Sequence, residues 1–255
     1  SLFLVAKNHY KINSDNIYTV VSSGVVGQAE KDSKQMMVKA LADSFKLSIK
    51  EPQRVVALVD VTEEARLSHL GIVPEAKRYS TFLIDIGSGN TKGGYFPNGN
   101  TTDLKLFQLT WGTKSVANGT EKRLADDKSL VNYKKELYRV LEGSANTEII
   151  YAVNVSGAYN MNDNIAFSGG IAWSVATLIF PELLENPVVP VTYNEVAKFS
   201  EQLYENYNAY SGEALVNKIT DKTLDKTAIG DEVKRVHKVF DQKSLMAGTS
   251  LLLKI

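Results

Sequence analysis

One run constrains this chain more than any other: Asp85-Ile86-Gly87-Ser88-Gly89-Asn90-Thr91-Lys92-Gly93-Gly94. The β-rich stretch Thr81 to Ile86 precedes the glycines and Lys92 to Phe96 follows them. The pattern predicts two strands joined by a Gly-rich hairpin. Glycines let backbone N–H groups crowd around an anion, because no Cβ blocks the approach. Asn90 and Thr91 add side-chain donors, and a carboxylate at the strand end, Asp85, can hold a metal or order a water. Strands on both sides exclude a Walker A loop, which needs its Lys and a following helix. They also exclude the Rossmann fingerprint, which joins strand to helix. A plain Gly-Asn hairpin turn is the alternative.

Two further signals carry chemistry. Ser168-Gly169-Gly170 stands between an apolar strand, Ile165 to Phe167, and an apolar helix, Ile171 to Leu178. Glycines before a helix start offer free N–H groups and a positive dipole end to a phosphate; a tight strand-to-helix turn has the same pattern. Glu63-Glu64 opens a short helix with Thr62 as N-cap, just after a strand from Arg54 to Asp60. A carboxylate there stays charged and can order or deprotonate a water. Simple compensation of the helix dipole is the bland reading.

The remaining elements place the chain in the α/β class. Ile17 to Val21 reads as a strand, and Asp32 with Gln35 as a capping box, ahead of a helix whose Met37, Val38, Leu41 and Phe45 share a face. Leu104 to Leu109 and Ile149 to Val153 read as strands, Thr120 to Glu142 as one helix, and the chain after Pro181 as mostly helical. Pro74 and the polar Glu75 to Arg78 mark a boundary, so the domains expected are residues 1–78 and 79–255. Lys+Arg 29 balances Asp+Glu 29, which gives no support for a nucleic-acid surface. No apolar run reaches the ~18 residues that span a bilayer, and the first residues lack the basic start and full apolar core of a signal peptide. With no cysteine, disulfides, zinc-thiolate sites and cysteine nucleophiles are excluded. His9, His69 and His237 show no metal-ligand spacing; each is read as a surface or structural residue.

The order of the signals is strand, acidic helix start, strand–Gly hairpin–strand, then strand–Gly-Gly–helix. It resembles the actin-like ATPase superfamily, in which ribonuclease-H-like domains clamp phosphates between Gly-rich hairpins. Thr62-Glu63-Glu64-Ala65-Arg66-Leu67 and Leu83-Ile84-Asp85-Ile86-Gly87-Ser88-Gly89-Asn90-Thr91 are similar to two segments of the exopolyphosphatase / guanosine pentaphosphate phosphatase family. Val20 to Val25 and Met246 to Leu253 resemble flanking parts of it. The resemblance implies a catalytic Glu64, a metal-associated Asp85 with Mg²⁺, and phosphate-loop positions Gly87, Ser88, Gly89, Asn90 and Thr91. Gly169 and Gly170 are candidate phosphate contacts from their own pattern. The family's loop usually reads Gly-Gly-Gly-Ser-Thr-Glu; here Ser88 replaces a glycine, Asn90 a serine, and Lys92 stands where an acid is usual. Lys92 would either grip phosphate or repel the metal.

The fold expected is therefore a mixed sheet with flanking helices, a ribonuclease-H-like actin-like domain preceded by an incomplete first domain that lacks its first phosphate hairpin. The function expected is phosphoanhydride hydrolysis of polyphosphate or a nucleotide polyphosphate, with the 255 residues alone inactive. An apyrase-like nucleotidase and a non-catalytic phosphate or nucleotide sensor are the alternatives. No nucleic acid and no membrane is expected as a partner, a homodimer stays open, and the compartment expected is the cytoplasm.

Overall fold

A computed structural model describes residues 2–157 and 163–255. They divide into two compact units, residues 1–68 and 69–255. Among the described residues no helix is long and apolar enough to cross a membrane.

The first unit runs α1 (Leu2–Asn8), β1 (Val20–Val21), α2 (Ser23–Lys31), α3 (Gln35–Ser48) and β2 (Ala57–Leu58), then into α4 (Val61–Ile72). β1 and β2 pair in parallel, and a small cluster of Val21, Ala29 and Val38 forms the core. Polar contacts tie the loops: Arg54 donates to the Ile17 carbonyl at 2.7 Å and to the Ser14 carbonyl at 2.8 Å. Glu51 accepts from Lys7 at 2.6 Å and from Ser14 at 2.7 Å.

The second unit is built on β3 (Thr81–Ile86), β4 (Thr91–Tyr95), β5 (Lys105–Leu109) and β6 (Asn164–Ser168). Their order is β5-β4-β3-β6. β3 pairs antiparallel with β4 and β4 with β5, while β6 lies parallel to β3. Because strand side chains alternate between faces, Phe82, Ile84 and Ile86 of β3 share a face with Phe107 and Leu109 of β5. These five residues enter the main core. Helices supply most of the rest of that core: α5 (Thr113–Glu121), α6 (Leu130–Val140), α7 (Asn146–Ser156), α8 (Gly170–Ile179), α9 (Tyr193–Glu205), α10 (Gly212–Lys218), α11 (Lys226–Val239) and α12 (Gln242–Lys254). The terminal α12 buries Leu245, Met246, Ala247 and Leu251 and packs against α5, α8 and α9. A single π-helical turn, Leu141–Ala145, joins α6 to α7.

The strands at 81–86 and 164–168, the helix after Gly169-Gly170 and the helical C-terminal region match the sequence reading. Other elements differ. Ile149 to Val153, read as a strand, lies in α7, where Ile149, Ala152 and Ser156 are buried at helical spacing. The single helix expected over 120–142 is two. Ala125 takes a left-handed φ of 47°, Asp127 accepts from the Ser129 amide at 2.9 Å, and Ser129 caps α6 through the Asn132 amide at 3.2 Å. The strands expected at 17–21 and 54–60 shrink to two residues each. The cap of α4 is Asp60, not Thr62: its Oδ1 accepts from the Glu63 amide at 2.8 Å. Asp32 does not cap α3, which starts after Lys34 with no side-chain cap bond. Of the α3 face only Val38 is buried, and Met37 and Leu41 stay exposed. A helix buries only what a neighbour covers, and within its own unit α3 packs on α2.

Candidate functional site

The hairpin between β3 and β4 turns over four residues. The last ladder pair is Ile86–Thr91, and the Gly87 amide donates to the Asn90 carbonyl at 2.9 Å. Two of the loop carbonyls, those of Gly87 and Ser88, are taken by the start of α5. The Thr113 amide donates to Gly87 O at 3.0 Å, and the amides of Lys114 and Ser115 donate to Ser88 O at 2.7 and 3.3 Å. These are N–H groups a helix start leaves without intrahelical partners. The approach is close enough to require glycine at position 112: a β-carbon there would lie 2.6 Å from Gly87 O and 2.7 Å from Asn90 N. With the carbonyls turned to α5, Ser88 and Gly89 sit exposed at the tip. Among the described residues none accepts from their amides. Thr91 is placed differently from its sequence reading. It is fully buried, and its hydroxyl donates to the Trp111 carbonyl at 2.8 Å. The segment Trp111-Gly112-Thr113 was not singled out from sequence; a glycine before a Thr-Lys-Ser helix start was the available signal.

Asp85 belongs to a polar row on the sheet face opposite the main core. Register places Gln108, Lys92, Asp85 and Ser168 side by side on β5, β4, β3 and β6. Lys92 Nζ stands 3.4 Å from Asp85 Oδ2, with side chains only 7% and 19% exposed. The Ser168 hydroxyl donates to Asp85 Oδ1 at 3.2 Å. Gly169 follows with φ +92°, in the left-handed region. A β-carbon there would collide with the Ile86 carbonyl oxygen and lie 2.7 Å from Asp85 Oδ1. Only glycine allows this turn to close against the end of β3. α8 then begins, with the Trp173 amide donating to Gly169 O at 3.1 Å. Structure thus brings Asp85, Lys92, Ser168 and Gly169 together beside the hairpin, with the exposed Gly170 opening α8.

Glu63 and Glu64 lie in the first turn of α4, in the other unit. Their partners differ. Glu63 takes a bidentate pair from Arg66 at 2.7 and 2.8 Å, which holds its carboxyl below the usual range. Glu64 Oε2 accepts from the Ser23 amide at 2.7 Å, at the first residue of α2. A carboxylate at a helix start is electrostatically favoured.

The resemblance implies a Mg²⁺ beside Asp85, and the side chains there do not fit it. Magnesium takes a near-octahedral set of oxygens at about 2.0–2.1 Å. An ion on Asp85 Oδ2 would stand close to the Lys92 ammonium, itself 3.4 Å from that oxygen. Two unit charges about 4 Å apart repel by about 4 kcal/mol at an effective dielectric near 20, and a dication doubles that. Among the described residues no group of three or more His, Asp or Glu side chains is placed to hold a metal ion.

Elsewhere, a cavity of ≈ 620 Å³ is lined by residues such as Leu178, Phe199, Tyr210 and Leu215 and includes none of the hairpin. His237 is structural: Nε2 donates to the Tyr210 carbonyl at 2.7 Å and Nδ1 accepts from the Tyr207 hydroxyl at 2.9 Å. His69 is fully buried, with Nε2 donating to the Thr81 carbonyl at 3.0 Å.

No protein-family model and no curated protein matches the sequence. Solved structures do match the fold. An exopolyphosphatase-like protein aligns with TM-score 0.59 and 16% identity, over 99% of this chain and 70% of that one. A Ppx/GppA family member from Aquifex aeolicus aligns with TM-score 0.57 and 17% identity, over 99% and 69%. The type II variant of the Aquifex aeolicus Ppx/GppA phosphatase gives TM-score 0.54 and 16% identity, over 98% and 69%. The chain shares the fold of exopolyphosphatase-like and Ppx/GppA proteins.

Proposed function

We propose that this protein acts on phosphoanhydrides, with inorganic polyphosphate or a nucleotide polyphosphate as the substrate class. The observation that carries the reading is the hairpin tip. The Gly87 and Ser88 carbonyls are tied down by α5, and the exposed Ser88 and Gly89 amides are left for an anion. A loop held this way needs little reorganisation when a terminal phosphate arrives, which is what electrostatic stabilisation of phosphoryl transfer requires. The fold shared with exopolyphosphatase-like proteins points the same way. Ser88 to Asn90 would cradle the phosphate, with Gly87 closing the turn and Gly170 at the start of α8 as a second contact. Thr91 would act indirectly, by fixing the hairpin to Trp111.

The resemblance assigns the water-ordering role to Glu64, and that assignment is the part to be tested by mutation. Both carboxylates have partners, Glu63 in Arg66 and Glu64 in the Ser23 amide. The test, made in the full-length protein, is orthophosphate release from tripolyphosphate and from a nucleoside triphosphate, by the wild type and by Glu64→Gln. Turnover that falls about 10²–10⁴-fold in the variant, at unchanged binding, supports the assignment. Equal turnover removes Glu64 from it.

The Asp85–Lys92 pair favours a second reading, a non-catalytic sensor of phosphate-bearing ligands, because it sets a cation of the protein itself at the strand end. Binding without any turnover is its signature.

A further inference from the structure

We infer that Lys92 takes the place of a divalent cation beside Asp85, so that the hairpin holds its phosphate-bearing anion without Mg²⁺. The inference rests on the phosphate-binding reading of the loop and adds to it the nature of the counter-charge.

Register forces the pair. A four-residue loop closing on Ile86–Thr91 sets Asp85 opposite Lys92 on the same sheet face. Both side chains are mostly withdrawn from water, at 7% and 19% exposure, and a buried charge is normally held by a partner. Asp85 is one such partner, and its other oxygen accepts from Ser168. Both carboxylate oxygens are therefore engaged by donors of the protein. Gly169 closes against Oδ1 so tightly that a β-carbon would lie 2.7 Å from it. The ammonium occupies the neighbourhood in which a metal on Oδ2 would stand. A lysine is compact, cationic and a donor of up to three hydrogen bonds. It neutralises Asp85, which would otherwise repel an anion one residue from the loop. Unlike a metal, it cannot be removed by a chelator.

The test uses the 255-residue protein and sodium tripolyphosphate. Calorimetric titration in EDTA and in Mg²⁺ should give dissociation constants within about threefold of each other, far less than the loss of a charged contact would cause. Mn²⁺, followed by the electron paramagnetic resonance of the free ion, should show no bound ion that Asp85→Asn abolishes. Lys92→Met leaves Asp85 uncompensated and should weaken tripolyphosphate binding in EDTA by about ten- to a hundredfold, the scale of one charged donor. Lys92→Glu should gain a Mn²⁺ site, seen as a melting temperature that rises with Mn²⁺. Binding that requires Mg²⁺, or wild-type Mn²⁺ binding lost in Asp85→Asn, would overturn the inference and leave the hydrolytic reading standing. No tripolyphosphate bound in either buffer would overturn both. If a Lys92 variant fails to fold, the wild-type and Asp85→Asn measurements still decide.

Discussion

Lys92 and Asp85 face each other across the β3–β4 ladder, Nζ to Oδ2 3.4 Å, at the one place where the sequence departs from its resemblance by a reversed charge. Two outcomes were open for Lys92, gripping phosphate or repelling a metal. Structure adds a contact that either outcome has to accommodate, an ion pair with the residue expected to bind the metal. Removing one partner of a mostly buried pair leaves an uncompensated charge. Asp85→Asn should therefore destabilise the protein by about 3 kcal/mol, the low end of the range for such pairs because Asp85 keeps some exposure. The double variant Asp85→Asn/Lys92→Met should recover most of that loss. Urea unfolding of the four proteins in the cycle checks it; additive losses would show that the two side chains do not interact.

Gly169 should tolerate no side chain. Its φ of +92° and the close approach to the Ile86 carbonyl oppose even alanine. Gly169→Ala should cost at least about 1–3 kcal/mol from the backbone conformation alone. Gly89→Ala is the control, because a β-carbon there meets nothing within 4 Å. Denaturation midpoints that shift equally for both would contradict the geometry.

The hairpin was legible because turn chemistry is local: β-branched residues, a short Gly-rich loop and a second β run leave few alternatives. The register was not: with Thr91 counted in the loop, 85 would face 93, whereas Thr91 joins β4 opposite Ile86 and brings Lys92 to Asp85. The α5 dock was not legible. Asn118 and Gly119 lower the helix propensity of Thr113–Glu121, and its start is held by loop carbonyls some 25 residues away in sequence. α7 was misread because Ile149-Ile150-Tyr151 has strand composition, and tertiary burial of Ile149, Ala152 and Ser156 decides otherwise. Met37 and Leu41 show the converse error, a helical apolar stripe that its own unit leaves uncovered.

Glu63 and Glu64 should separate in stability as well as in turnover. Glu63→Gln breaks a part-exposed pair with Arg66 and should cost about 0.2–1 kcal/mol. Glu64→Ala removes the acceptor for the Ser23 amide and should cost about 0.5–2 kcal/mol, as the loss of a helix cap does, whereas Glu64→Gln keeps an acceptor and should cost less. Thermal melts of the three variants test this. A Glu64→Ala protein as stable as wild type would show that the bond to α2 contributes nothing.

His69 gives the protein a pH dependence. Burial, then the positive charge of Arg78, hold its imidazole below its ordinary value near 6.5, against the pull of its bond to the Thr81 carbonyl. The unfolded chain therefore binds the proton first. Stability is full above about pH 6.5 and falls as pH drops from there toward the lower folded value, by at most about 1.4 kcal/mol per pH unit. Glu51 titrates in a separate window. Its carboxyl is lowered to about 2, chiefly by Lys7 and then Ser14, so its contribution is lost only below about pH 4.5. Urea unfolding from pH 7.5 to 5 should show the slope in the wild type and lose it in His69→Gln. A slope unchanged in the variant would assign it to other groups.

The central claim is that the tip of the β3–β4 hairpin binds phosphate, and amide chemical shifts test it most directly. Titrating ¹⁵N-labelled protein with tripolyphosphate should move the Ser88, Gly89 and Asn90 resonances, with Gly170 following and Leu215, in the wall of the separate cavity, unmoved. Saturable shifts confined to those loop amides are the predicted result. Shifts that appear first around Leu215 and Tyr210, or loop amides that stay in place at millimolar ligand, would contradict the account.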